Sequence, residues 1–151
     1  MTTLKDRLTT DMRTALKARD EITTSTLRMA LAAVGVAEVA GKSKRELSDE
    51  EVLAVLKKEA KKRVEAATAF ADAGRTEQAA KERAEEEVLA RYLPAQLSDD
   101  DVKAIVSKVI ADGGFSGMSA MGQAMKAVQA EVAGRADGGM VAAEVKRQLG
   151  A

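Results

Sequence analysis

Neither cysteine nor histidine occurs among the 151 residues of this sequence. Without cysteine there are no disulfides and no thiolate nucleophiles. Without histidine there is no imidazole base, and the two absences together remove the usual ligands of zinc, copper and haem. No catalytic residue, metal site or cofactor is assigned on this basis. Tryptophan is also missing, and the aromatic residues are Phe70, Tyr92 and Phe115, too few for base stacking to be the main way of holding RNA. Neither sign of charge is in excess, with 24 Lys and Arg against 24 Asp and Glu. No global field therefore attracts nucleic acid or an anionic membrane, and any RNA contact must be local. No apolar run reaches the ~18 to 20 residues of a membrane span, and Met1-Thr2-Thr3-Leu4-Lys5-Asp6 lacks the basic-then-apolar layout of a signal peptide. A cytoplasmic protein without membrane association is expected.

Proline occurs once, at Pro94, and glycine is scarce before Gly113, so little interrupts long helices in the first ninety-odd residues. Strand-like alternation is absent as well, and the expected fold is all-α. Leu4, Leu8, Met12, Ala15 and Leu16 share a helical face, as do Leu27, Ala30, Leu31 and Val34. The short connection Arg19-Asp20-Glu21 makes these two helices a hairpin, with Asp20 capping the second and Gly41 closing it. Ser48 and Glu51 form a capping box that opens a third helix, with Leu53, Leu56, Ala60, Val64, Ala67 and Phe70 as its stripe and Gly74 as its stop. A fourth helix from about Thr76 carries Ala80, Ala84, Val88, Leu89, Tyr92 and Leu93 and ends at Pro94, which pushes its predecessor out of the α region. Beyond it, Ser98 caps a fifth helix that ends at Gly113-Gly114. A sixth is expected over Met118 to Ala133 and a seventh over Gly139 to Leu149. The chain thus divides into an N-terminal bundle of about four helices, residues 1–95, and a small three-helix C-terminal domain, residues 96–151.

Chemistry-bearing candidates are few. Lys57, Lys58, Lys61 and Lys62 recur at four-residue steps along one helix face. They read either as a stripe for phosphates or as a solvated face neutralised by neighbours such as Glu65. Glu82, Glu85, Glu86 and Glu87 read as solvated surface, since one helix does not converge them on a cation. Gly117 and Gly122 have the five-residue step of a P-loop, but Gln123-Ala124 stands where lysine and a hydroxyl residue are needed. Met118, Met121 and Met125 fall at i, i+3 and i+7 and read as core rather than as a soft binding groove. Gly122 lies inside a predicted helix, where glycine costs ~1 kcal/mol relative to alanine. Its presence suits either close packing of a neighbouring helix, the reading preferred here, or close approach of an RNA backbone, with Lys126 and Arg135 supplying charge.

Taken in order, Arg19-Asp20, Ser25-Thr26-Leu27-Arg28, Phe70 to Arg75, Tyr92 to Ser98 and the stretch from Met121 to Asp137 resemble the GatB/YqeY family, in particular free-standing YqeY-like proteins. The C-terminal part is similar to the tail domain of the B subunit of the glutamyl/aspartyl-tRNA amidotransferase. The resemblance implies an all-helical protein in two parts, whose second part is related to a module that helps that enzyme hold tRNA. Matching positions are Gly122, Met125, Lys126, Gly134, Arg135 and Asp137, while Gln123 departs from an expected lysine. The resemblance together with the local basic clusters leads to the expectation of a non-catalytic, tRNA-associated accessory protein contacting RNA through Lys126, Arg135 and Gly122, with the basic stripe of Lys57, Lys58, Lys61 and Lys62 extending the footprint. A helical adaptor that docks on a protein of the translation machinery is the alternative. A carbon-nitrogen ligase role, with glutamine as amido donor, is weaker, because nothing in the chain resembles that enzyme's amidase or phosphorylating core.

Overall fold

A computed structural model of the chain describes residues 2–150. They form α1 (Leu4–Lys17), α2 (Glu21–Glu38), α3 (Asp49–Asp72), α4 (Thr76–Ala90), α5 (Asp99–Gly113), a 3-10 turn (Met118–Ala120), α6 (Met121–Val132) and α7 (Gly138–Leu149). No strand occurs among the described residues. Two compact units result, one reaching to Leu93 and one beginning at Pro94.

Local chemistry sets most helix ends. Capping boxes join Thr3 to Asp6, Ser48 to Glu51 and Ser98 to Asp101, each satisfying a backbone donor at both ends of the box. Asp20 caps α2 by accepting from the Thr23 backbone N–H at 3.1 Å and from the Thr23 hydroxyl at 2.7 Å. At the far end of α3, Gly74 adopts φ +76° and the Arg75 N–H reaches back to the Phe70 carbonyl at 2.8 Å, a Schellman closure. α1 closes in the same way, the Asp20 N–H bonding the Ala15 carbonyl at 2.9 Å, but there the left-handed residue is Arg19, φ +59°.

In the N-terminal unit, Leu8 of α1, Leu27, Ala30 and Val34 of α2, Val52, Leu56 and Ala60 of α3, and Val88 and Leu89 of α4 form one core. α3 and α4 pair along their length. The inner face of α4 differs from the sequence expectation. Ala79, Glu85, Val88 and Leu89 are buried, whereas Ala80 is exposed. The reason is Arg63 on α3, which lies 3.1 Å from the Glu85 carboxylate and 3.8 Å from that of Glu82. Both acids turn inward to meet it, so they are not the solvated face expected. Arg63, next in sequence to Lys62, thus faces α4 and not solvent, and Val64 of the expected α3 stripe is exposed. A second buried carboxylate, Glu38, is paired with Lys5 at 2.8 Å.

The C-terminal unit packs α5, α6 and α7 around Val102, Val106, Ala124, Val128, Val132, Val141, Val145 and Leu149. Met121 and Met125 pack against this core as expected. Met118 is exposed instead, because the 3-10 turn before α6 rotates it off the helical register. Phe115 folds back at the end of α5, and a Cβ on Gly113 would collide with its ring, which explains a glycine inside that last turn.

Candidate nucleic-acid interface

The corner between α6 and α7 gathers most of the residues singled out in the C-terminal unit. α6 ends with Ala133 at φ +49° and Gly134 at φ +77°, two left-handed residues that reverse the chain within one turn. Arg135 then turns its side chain back on the helix it follows. Its Nε donates to the Val132 carbonyl at 3.0 Å and its Nη2 to the Glu131 carbonyl at 2.8 Å. A guanidinium there satisfies orphan carbonyls and complements the negative end of the helix. The Arg135 carbonyl accepts from the Leu97 N–H at 2.8 Å, tying the corner to the segment that enters α5. Ala136 is buried, and Asp137 caps α7 through the Met140 N–H at 3.2 Å. Every residue from Gly134 to Asp137 thus has a local structural role. Arg135 uses two of its five N–H donors on α6 and retains the others.

Lys126 is placed differently. It stands exposed on α6, one turn beyond Gly122, and makes no ion pair or hydrogen bond among the described residues. Gly122 is exposed too, and a Cβ added there would meet nothing within 4 Å. The expected helix packing at Gly122 is therefore not found, because the neighbouring helices cover the opposite face of α6 through Ala124, Val128 and Val132. What remains is a bare strip of helix backbone flanked by Gln123, Lys126 and Gln129, all exposed. Amides and an ammonium on such a strip offer donors for phosphate and sugar oxygens.

On α3 the four lysines are exposed but not equivalent. Lys62 is held by Glu59 at 3.1 Å and Lys57 is engaged as well, whereas Lys58 and Lys61 carry no ion pair among the described residues. The expected partner Glu65 is not the one found.

Two shallow cavities accompany these surfaces. One, about 250 Å³, runs between α5 and α7 and is lined by Asp99, Val102, Lys103, Met140, Glu144 and Arg147. Two of its charged residues, Glu144 and Arg147, pair with each other. The Glu144 carboxylate accepts from Arg147 Nε at 3.0 Å and from Gln148 Nε2 at 2.9 Å, and these bonds, the arginine's first, hold its carboxyl down at about 2. The other, about 300 Å³, lies among α1, α2 and α4. There the Tyr92 hydroxyl donates to Asp11 at 2.6 Å and the Arg7 guanidinium lies 4.8 Å from the ring centroid. Burial, then the bond to Asp11, pushes the phenol well above its ordinary value, so Tyr92 acts as a fixed donor. No sequence signal joins Arg7, Asp11 and Tyr92, which lie up to 85 positions apart. No group of three carboxylates able to hold a metal ion is found among the described residues. None of the described helices is long and apolar enough to cross a membrane.

The described residues thus define a small all-helical protein in two units, with a GlyArgAlaAsp corner joining its last two helices. The chain belongs to the Yqey-like protein family, whose model matches residues 5–149. No curated protein matches it.

Proposed function

We propose that the protein is a non-catalytic, tRNA-associated accessory factor that lays the outer face of α6 against an RNA backbone. The observation that carries this reading is the exposed strip at Gly122 and Lys126, where a glycine with open space above it adjoins an uncommitted cation. A missing side chain lets a sugar-phosphate backbone approach the helix closely, and the ammonium then neutralises a phosphate. Arg135 offers its remaining donors from the adjoining corner. Lys58 and Lys61 of the N-terminal unit supply further phosphate contacts, and Lys57 and Lys62 do so more weakly because each already has a partner. Resemblance of the C-terminal part to the tail of the amidotransferase B subunit supports tRNA as the RNA and the translation machinery as the setting.

The reading implies modest affinity. From Pro94 onward the chain carries six Lys and Arg against seven Asp and Glu, so few phosphates are neutralised and the salt dependence is correspondingly shallow. Filter binding of unfractionated tRNA at low ionic strength tests the proposal. Saturable binding that weakens with Lys126→Ala is expected, and absence of binding would end it. Glutamine-dependent amidation by the purified chain would contradict the non-catalytic part.

A further inference from the structure

α2 carries an apolar stripe that the fold leaves uncovered. From Leu27 to Val39 the only charged residues are Arg28 and Glu38, and Glu38 is buried against Lys5. Such a helix, apolar on all sides, is normally covered on all sides. Here Leu27, Ala30 and Val34 face the core, while Ala32, Val36 and Val39 are exposed, Val36 at 68% and Val39 at 56%, and Met29 is 39% exposed with its sulfur accepting from Arg63 of α3 at 3.5 Å. These four positions fall at i, i+3, i+7 and i+10, so they form one line ~16 Å long. Gly35 beside them has nothing within 4 Å of a built Cβ, which lets a partner approach the backbone. Leu16, Val64 and Met118, the other large exposed apolar residues, lie on α1, α3 and the 3-10 turn, and single exposures of that kind are ordinary.

Charge at the two ends says what fits. Arg28 stands exposed at the start of the stripe. Lys42 and Lys44 stand exposed in the loop just past Val39, where Arg45 is already paired with Glu51. The exposed carboxylates nearest in sequence, Glu21 and Glu46, lie outside this span. We propose that the outer face of α2 is a docking site for an amphipathic helix of another protein, about three turns long, with an apolar stripe and acidic residues at both ends. A second copy of this chain fits poorly. A two-fold pairing of α2 with itself sets Arg28 against either Arg28 or the Lys42–Lys44 loop, like charge on like charge. RNA fits poorly as well, because the cations stand only at the two ends, the apolar residues between them donate nothing to a phosphate backbone, and none of the three aromatic residues lies on α2. The site is in the N-terminal unit and shares no residue with the α6 surface, so either can fail without the other.

The test uses two synthetic helical peptides with the same leucine stripe, one with glutamates at both ends and one with lysines there. Each is titrated into the full chain while backbone amide resonances are followed. The glutamate peptide is expected to shift resonances of Met29, Ala32, Val36 and Val39, and to bind at least tenfold more tightly than the lysine peptide. Val36→Glu and, separately, Arg28→Glu should each weaken it about tenfold with the thermal midpoint unchanged; Val39→Glu serves if Val36→Glu shifts the midpoint. Equal binding of the two peptides, shifts confined to other helices, or sedimentation of the chain as a dimer that Val36→Glu dissociates would overturn the proposal.

Discussion

At the scale of single residues, Arg135 and Lys126 show why a cation in a motif is not yet a contact. Arg135 holds the last carbonyls of α6, so Arg135→Ala removes two hydrogen bonds, each worth ~1 kcal/mol net. A loss of RNA binding in that variant would mix folding with contact. Lys126 has no such duty, which makes it the cleaner probe. Gly122 is equally separable. Alanine there meets open space, so Gly122→Ala is expected to stabilise the fold by ~0.5 to 1 kcal/mol, while reducing tRNA affinity if a backbone lies against it. Denaturant unfolding and a binding titration on the same preparation check both signs. Glu51 offers a pH prediction. Its bond to Arg45, then that from the Ser48 N–H, lowers its carboxyl from 4.5 to about 2 in the folded protein. A carboxyl depressed on folding contributes stability above its unfolded value and loses it as the pH falls through the folded one. Acid unfolding followed from pH 5 to 2 is therefore expected to be shallower in Glu51→Gln, and an unchanged curve would mean the capping box carries little of the acid sensitivity.

At the scale of elements, helix ends were legible and one inner face was not. Capping residues, Gly74, Gly114 and Pro94 act on backbone within a few positions, so a short window of sequence contains their physics. Expected and observed helices accordingly agree to within a few residues, apart from the 3-10 turn that delays α6 to Met121. The face of α4 depends instead on a partner 22 positions away, Arg63, which makes Glu85 a core residue. A polar residue counted as surface in a periodicity argument then shifts the apparent stripe by one position. The α6 strip was half legible: the glycine and lysine stand out in the sequence, but whether a neighbour covers Gly122 depends on which face α5 and α7 take. The α4 assignment carries its own prediction. Arg63→Met leaves Glu82 and Glu85 without their cation in the helix interface and is expected to cost ~3 to 5 kcal/mol. Adding Glu82→Gln and Glu85→Leu should restore much of that loss, as read by urea unfolding. Additive losses would show that the cluster is not a unit.

At the scale of the whole molecule, each unit carries an exposed surface of different chemistry, an apolar stripe on α2 and a polar strip on α6. Balanced overall charge means that the protein does not bind nucleic acid merely by being basic. Binding must come from a few placed groups, and this makes the claim measurable by salt. The most direct measurement is the slope of log affinity against log salt for tRNA, compared between the wild-type chain and Lys126→Ala. The account predicts saturable binding with a shallow slope that falls by about one unit in the variant, as expected for the loss of one phosphate contact. An identical slope in the two proteins, or no tRNA binding at the lowest salt, would contradict it.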